Sequence, residues 1–330
     1  MIVLGIESSC DDTGVGIVGD GAVLAGRMAA QSDLHSAYGG VVPEIASRAH
    51  LEVADALVSG ALSDAGLGAQ GVDLFAAGAG PGLIGGVIVG LNLAKAMAFA
   101  LKKPFVAVNH LEAHALMPMM FEPGLKFPYL LFLASGGHTQ LLHVLGVGRY
   151  RLLGATVDDA VGECFDKVAK MLGYDYMGGK FVERDAEAGN PAAFGFPRPL
   201  LRSKDLNFSF SGLKTAVRLA VEKGGAKKED VAASFQRAVV DVVAAKARRA
   251  LGEAEVSSLV ASGGVAANKA IRAALAGIAA EFGVPFFAAP PEYCTDNGVM
   301  IAYAGAMEFA ARGPSPLDVS PRPRWPLEEL

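Results

Sequence analysis

Cysteine and tryptophan are scarce in this chain, three of one and a single copy of the other in 330 residues. Cys10, Cys164 and Cys294 lie far apart and form no C-x-x-C, which excludes a disulfide framework and a paired-cysteine zinc knuckle. Glycine or charge interrupts every long apolar run before about 18 residues, so no membrane span is expected. The opening MIVLGIESSC has neither a basic segment nor a small-residue cleavage site, so no signal peptide is expected and a cytoplasmic location is. Positive charge is also in deficit: the net charge of −5 argues against a general nucleic-acid coater. What is present is a hydrophobic content of 52% with 19% charged residues, the composition of a folded globular protein of about two domains.

The charge is unevenly spread. Residues 180–249 hold 14 Lys and Arg against 8 Asp and Glu, whereas the rest of the chain holds 15 against 26. Such a basic segment on an acidic body marks either a face for a polyanion or an ordinary solvated helix surface. The 41 glycines cluster at the ends of apolar runs, as turns of an α/β protein require. Strands are expected at 2–6, 14–18, 74–79, 105–109, 129–134, 140–144 and 258–261. Helices are expected at 43–65, 85–101, 158–172, 213–221, 228–251, 267–282 and 296–311.

A weak internal repeat organises these elements. Residues 2–18 (IVLGIESSCDDTGVGIV) and 129–144 (YLLFLASGGHTQLLHV) each read as strand, polar turn, strand. Two related lobes facing each other across a phosphate-binding cleft are one explanation, and two unrelated hairpins are the other. The tail GPSPLDVSPRPRWPLEEL has no periodicity and reads as an extended or disordered end.

Several phrases carry chemistry. In NHLEAHA, His110 and His114 have the i,i+4 spacing that sets two imidazoles on one helix face, within reach of one metal. The peptidase pattern H-E-x-x-H is absent, because Glu112 stands two residues after the first histidine. A third ligand must come from elsewhere. Asp296 in CTDNG suits, although Thr295 or Asp296 serving as a plain helix cap is the simpler reading. Ser135-Gly136-Gly137-His138-Thr139 and Ser262-Gly263-Gly264 are turns that a ligand can approach closely, and Asn268 follows the second at a position suited to a base or ribose. Asp166, on the polar side of the helix expected over 158–172, suits ribose hydroxyls or plain solvent. Phe208, Phe210 and Lys214 in NFSFSGLKTA offer either stacking and charge for RNA, or buried aromatics beside a solvated lysine.

Together these phrases closely resemble the TsaD family of tRNA N6-adenosine threonylcarbamoyltransferases, once described as O-sialoglycoprotein endopeptidases. The resemblance runs from Ile2 to about Ala311 through GIESSCDDTGVGIV, VVPEIASRAHLE, GPGLIGGVIVGLNLAKAMA, NHLEAHA, LASGGHTQL, DDAVGECFDKVAKMLG, NFSFSGLKTA, SGGVAAN and CTDNGVMIA. It implies an α/β fold of two ribonuclease-H-like lobes around a nucleotide cleft, as in actin, sugar kinases and heat-shock-70 ATPases. The expected division is an N-terminal lobe over 1–104, completed by the returning helix 296–311, a C-terminal lobe over 105–295 with the metal and adenylate sites, and an extended tail over 312–330. By resemblance His110, His114 and Asp296 hold one divalent metal, iron(2+) or alternatively zinc. Leu133, Ala134, Ser135, Gly136 and Gly137 lie along the phosphate, while Asp166, Gly179, Glu183 and Asn268 hold the adenylate. The implied reaction transfers threonylcarbamoyl from threonylcarbamoyl-adenylate to N6 of adenosine 37 in tRNAs reading ANN codons, with release of AMP. Its implied partners are the tRNA anticodon loop, a TsaB-type paralogue, a TsaE-type ATPase and a separate synthase that supplies the adenylate.

This chain departs from the family pattern in three places. Lys180 stands where proline is common, Asp12 where glutamate is frequent, and Glu183 where aspartate is frequent. A metallopeptidase and a nucleotide-gated scaffold remain the alternatives from other classes.

Overall fold

The computed structural model describes residues 1–174 and 178–330. Contacts divide the chain into two compact units, one of residues 1–123, 146–149 and 295–330, the other of 124–145 and 150–294.

The first unit begins with β1 (Ile2–Glu7), β2 (Thr13–Gly19) and β3 (Ala22–Ala29), continues through α1 (Ser32–Ser36), α2 (Pro43–Asp64), β4 (Leu74–Gly80), α3 (Ile84–Leu101), β5 (Phe105–Asn109) and α4 (His110–Phe121), and ends with α10 (Gly298–Arg312). Its sheet has the order β3-β2-β1-β4-β5. The β1–β2 and β2–β3 pairs are antiparallel, while β1–β4 and β4–β5 are parallel. Strands β1, β2 and β4 are buried almost throughout, so they read as continuous apolar runs rather than alternating ones. Helix α10 crosses the sheet at backbone contact distance. A Cβ added at Gly16 would lie 2.2 Å from the nitrogen of Val299, and one added at Gly298 would lie 2.2 Å from the nitrogen of Gly16. Only glycine permits that approach, and it fixes where the first turn of α10 starts.

The second unit contains β6 (Tyr129–Ala134), β7 (Thr139–Gly146), β8 (Arg149–Ala155), α5 (Val161–Met171), α6 (Gly179–Ala186), α7 (Ser211–Glu222), α8 (Lys228–Glu253), β9 (Leu259–Ser262), α9 (Lys269–Glu281) and β10 (Phe286–Ala288). Its sheet order, β8-β7-β6-β9-β10, matches that of the first, strand for strand. The antiparallel β6–β7 pair and the parallel β6–β9 and β9–β10 pairs repeat the pattern as well. The repeat expected from the two hairpins therefore extends to all five strands of each sheet.

Three expectations need correction. Residues 105–123 belong to the first unit, because β5 pairs in parallel with β4 and α4 packs on α10. The metal-site histidines thus sit on the first unit rather than the second. The tail is not a free arm: residues 312–330 belong to the first unit, and Val319 and Trp325 pack against its core. Finally, α3 is long and apolar enough to cross a membrane by length and composition, with a mean hydropathy of 1.8. Its Gly86, Val87, Gly90, Leu91, Ala94 and Ala98 are nevertheless buried, and it packs on β4, β1 and α2.

Candidate metal centre and adenylate site

In the first unit, the chemistry gathers where the parallel strands β1 and β5 end, the usual location of sites in sheets of this kind. Strand β5 runs directly into α4. Asn109 caps that helix, its Oδ1 accepting from the backbone nitrogens of Leu111 at 2.9 Å and Glu112 at 3.3 Å. His110 and His114 then fall one turn apart, both buried, with ring centroids 4.8 Å apart and edge to face. Asp296 arrives from the segment before α10. Its Oδ1 lies 3.0 Å from Nε2 of His114 and 3.6 Å from Nε2 of His110. Asp296 does not cap α10, and neither does Thr295: Asn297 does so, its Oδ1 accepting from the nitrogen of Met300 at 2.9 Å.

Glu7, the last residue of β1, was not singled out in the sequence, although an acid closing a buried apolar strand is itself a signal. It is 1% exposed. Its Oε2 lies 3.0 Å from Nδ1 of His110, and its Oε1 accepts from the nitrogen of Ser9 at 2.6 Å. The hydroxyl of Ser9 also lies 3.1 Å from Nδ1 of His110. Burial opposes charge on His110, but the carboxylates of Glu7 and Asp296 prevail and push its pKa up to about 9. Burial, with Asp11 and Asp296 nearby, pushes Asp12 up to about 6.

The donor set fits a divalent cation. The ligand atoms of His110, His114 and Asp296 lie within 4.8 Å of one another, and Glu7 holds the far nitrogen of one imidazole, as carboxylates behind metal-bound histidines do. Two imidazoles and one carboxylate are a donor set for a divalent transition metal.

A second group missed in the sequence fixes the turn after β1. His50 of α2 is wholly buried. Its Nδ1 lies 2.7 Å from Oγ1 of Thr13 and 3.3 Å from Nε2 of Gln31, and its Nε2 lies 3.1 Å from the carbonyl of Cys10. Burial holds its pKa below the ordinary value.

The residues expected at the adenylate lie in the second unit. Leu133 and Ala134 end β6, and Ser135 through His138 form a turn closed by a bond of 2.9 Å from the nitrogen of Ser135 to the carbonyl of His138. A Cβ added at Gly136 or Gly137 would meet nothing within 4 Å, so packing within the chain does not require these glycines. Open glycine turns are what an anion needs for close approach to backbone N–H groups. Gly263 meets this turn closely: its φ is +91°, and a Cβ there would lie 2.4 Å from the carbonyl oxygen of Ala134.

Asp166, Gly179, Glu183 and Asn268 already have structural partners. Oδ1 of Asp166 accepts from the nitrogen of Gly179 at 3.0 Å. Oε1 of Glu183 accepts from the nitrogen of Lys269 at 2.7 Å, while Asn268 caps α9 and donates to Oε1 of Gln236 at 2.8 Å. These bonds tie α5 to α6, α6 to α9, and α9 to α8. Gln236 had no signal in the sequence. Lys180 is exposed, its Nζ 5.2 Å from the ring centre of Phe181.

RNA stacking on Phe208 and Phe210 is ruled out. Both are fully buried and stacked on each other. Lys214 is paired with Asp159, which also holds Lys167 at 3.3 Å, so its ammonium is engaged within the chain.

Residues 22–303 match the model of the family described as TsaD: tRNA N6-adenosine threonylcarbamoyltransferase. A protein of that name from Sphingopyxis alaskensis is 56% identical over 329 residues, covering 99% of this chain and 96% of that protein. Its namesake from Novosphingobium aromaticivorans is 53% identical over 336 residues, with the same two coverages. Among solved structures, T. kodakarensis HypF has a TM-score of 0.64 at 17% identity, covering 94% of this chain and 48% of its own. A ROK family glucokinase from Streptomyces griseus, in complex with glucose and AMPPNP, has a TM-score of 0.51 at 15% identity over 95% of this chain and 100% of its own. These likenesses show a sugar-kinase-type fold, and the sequence matches show the family: the chain belongs to the TsaD family of tRNA N6-adenosine threonylcarbamoyltransferases.

Proposed function

We propose that this chain transfers the threonylcarbamoyl group from threonylcarbamoyl-adenylate to N6 of adenosine 37 in tRNAs reading ANN codons. The new bond joins N6 to the carbamoyl carbon, the bond from that carbon to the phosphate oxygen breaks, and AMP leaves as N6 gives up one proton to solvent. The observation that carries this reading is the convergence of His110, His114 and Asp296, backed by Glu7, in a chain of this family. Iron(2+) or zinc, bound there, supplies Lewis acidity for a carbonyl and a positive charge for a carboxylate.

The chain's own residues do the rest. Glu7 fixes the ring of His110 by accepting at Nδ1, which turns Nε2 toward Asp296. His50 holds the carbonyl of Cys10 and so sets the turn that carries Asp11 and Asp12. Gly136 and Gly137 offer backbone N–H groups to the phosphate of the adenylate. Asp166, Gly179, Glu183 and Asn268 frame the adenosine end, with Glu183 fixing the first turn of α9. Adenosine 37 lies in a loop, so its base reaches a site without the opening of a duplex.

The partners in this reading are the tRNA anticodon loop, a TsaB-type paralogue and a TsaE-type ATPase. A separate synthase provides the adenylate, and the reaction takes place in the cytoplasm. Exposed apolar residues support a protein partner: Leu51 of α2 is 65% exposed, and Ile84, Ile88 and Phe99 of α3 are 46%, 41% and 74% exposed. The test is mass spectrometry of nucleosides from unmodified tRNA incubated with the donor, this chain and the two partners. Threonylcarbamoyl on adenosine 37, lost in His110→Ala, is the expected result. No modification with partners active on a known relative would overturn the reading.

A further inference from the structure

The segment after α10 carries no sequence motif, yet it is bonded along β5, the strand that runs into His110, and at the end of β4. The nitrogen of Ser315 donates to the carbonyl of Phe105 at 2.7 Å, and its hydroxyl accepts from the nitrogen of Ala107 at 3.0 Å. The chain then crosses β4. The nitrogen of Arg322 donates to the carbonyl of Ala79 at 2.7 Å, and the carbonyl of Pro323 accepts from the nitrogen of Gly82 at 3.2 Å. Gly80, with φ at +131°, makes room, because a Cβ there would lie 1.8 Å from the carbonyl oxygen of Arg322. Last, the carbonyl of Trp325 accepts from Nδ2 of Asn109 at 2.9 Å.

That last bond matters because of what the other end of the Asn109 amide does. Oδ1 accepts from the nitrogens of Leu111 and Glu112 and so caps α4, whose first residue is His110. An amide that is 1% exposed needs a partner on both ends, and the Trp325 carbonyl is the acceptor that fixes which way it faces. A second route runs through Gly82 to Leu83, whose nitrogen donates to the carbonyl of Ser9 at 2.7 Å, and the hydroxyl of Ser9 lies against His110. Side chains hold the strap in place. The guanidinium of Arg322 stacks 4.8 Å from the ring centre of Trp325 and pairs with Glu329; beyond the strap, Leu327 is buried.

We propose that residues 315–325 are a positioning strap for the His110, His114 and Asp296 set, acting chiefly through the Trp325 carbonyl on Asn109. The strap tunes affinity for a divalent transition metal without touching the ion. This inference rests on the metal reading of the three ligands.

The test measures zinc Kd by competition with a chromophoric chelator, on the full chain and on variants shown to be folded by circular dichroism. Deleting residues 324–330 removes the Trp325 carbonyl. Asn109→Ser keeps a capping oxygen but is too short to reach that carbonyl. Each is expected to weaken zinc binding about 10-fold, as loss of an outer-shell partner does. Combined, they should weaken it no further than the deletion alone, because the bond that Asn109→Ser breaks is already gone in the deletion. Leu327→Ala loses packing but neither route, so it should lower thermal stability and leave zinc Kd unchanged. An unchanged Kd in the folded deletion or in Asn109→Ser would overturn the strap, as would additive effects. His114→Ala separates this from the underlying reading. If the full chain binds zinc no better than that variant, the metal reading fails and the strap falls with it.

Discussion

Glu7 ends β1 and His110 opens α4 directly after β5 of the same sheet, and the two meet behind the candidate metal centre, Oε2 to Nδ1 at 3.0 Å with both side chains buried. The carboxylate makes Nδ1 the donor, which leaves Nε2 as the ligand atom. Glu7→Gln keeps the shape and removes the charge, so it is expected to weaken zinc binding 10- to 100-fold with little change in fold. Chelator competition measures it, and an unchanged Kd would remove Glu7 from the site.

His114→Ala removes a ligand outright. The purified variant should carry no bound metal by elemental analysis, and its far-ultraviolet circular dichroism should match the parent. Transfer of threonylcarbamoyl should fall below detection. Metal at one equivalent per chain would show that the three residues are not the ligand set.

Gly16 and Gly298 set the height of α10 over the sheet. Gly16→Ala puts a methyl into helix backbone, an overpacking expected to cost about 1–3 kcal/mol. Because Asp296 lies two residues before that helix, zinc affinity should fall together with the urea midpoint. Loss of stability alone would mean that the Asp296 segment adjusts independently of α10.

Asp158 organises the start of α7 in the second unit. Its Oδ1 accepts from the nitrogens of Phe210 at 2.8 Å and Ser211 at 3.3 Å, and its Oδ2 from the hydroxyls of Ser209 at 2.5 Å and Ser211 at 2.6 Å. Partial desolvation favours the protonated acid, but these four donors prevail and hold its pKa below the ordinary 3.8. Its stabilisation is therefore present above pH 3.8 and lost as pH falls through the lower folded value. Asp158→Asn should cost about 1 kcal/mol at pH 7, a modest figure because the group is solvent-exposed. Urea midpoints of the two proteins should converge in acid, and a gap that persists below pH 2 would refute the assignment.

Much of this architecture was legible because buried strands and amphipathic helices leave periodic traces. Strand β5 and strand β6 match expectation to the residue. Strand β3 was missed although its turn was written in the chain: Asp20 and Gly21, with φ of 48° and 80°, form the two-residue link typical of hairpins. Its half-exposed edge lacks the apolar run that made β1 and β4 conspicuous. Helix α4 was only conditional, because His110 through Pro118 are all buried and a helix apolar on every side has no amphipathic period. At the site, the i,i+4 histidines were visible in sequence. Glu7 and His50 were not, since their partners lie 103 and 37 residues away and such pairings leave no local pattern.

The matching strand orders of the two sheets have a consequence for charge. The link from β1 to β2 and the link from β6 to β7 occupy equivalent places, yet one reads Ser8-Ser9-Cys10-Asp11-Asp12 and the other Ser135-Gly136-Gly137-His138. One copy of the hairpin carries two neighbouring carboxylates, Asp11 and Asp12, while its counterpart carries two neighbouring glycines with no side chain at all. A single scaffold used twice thus carries connections of opposite chemical character at equivalent places, while the strand order stays the same in both.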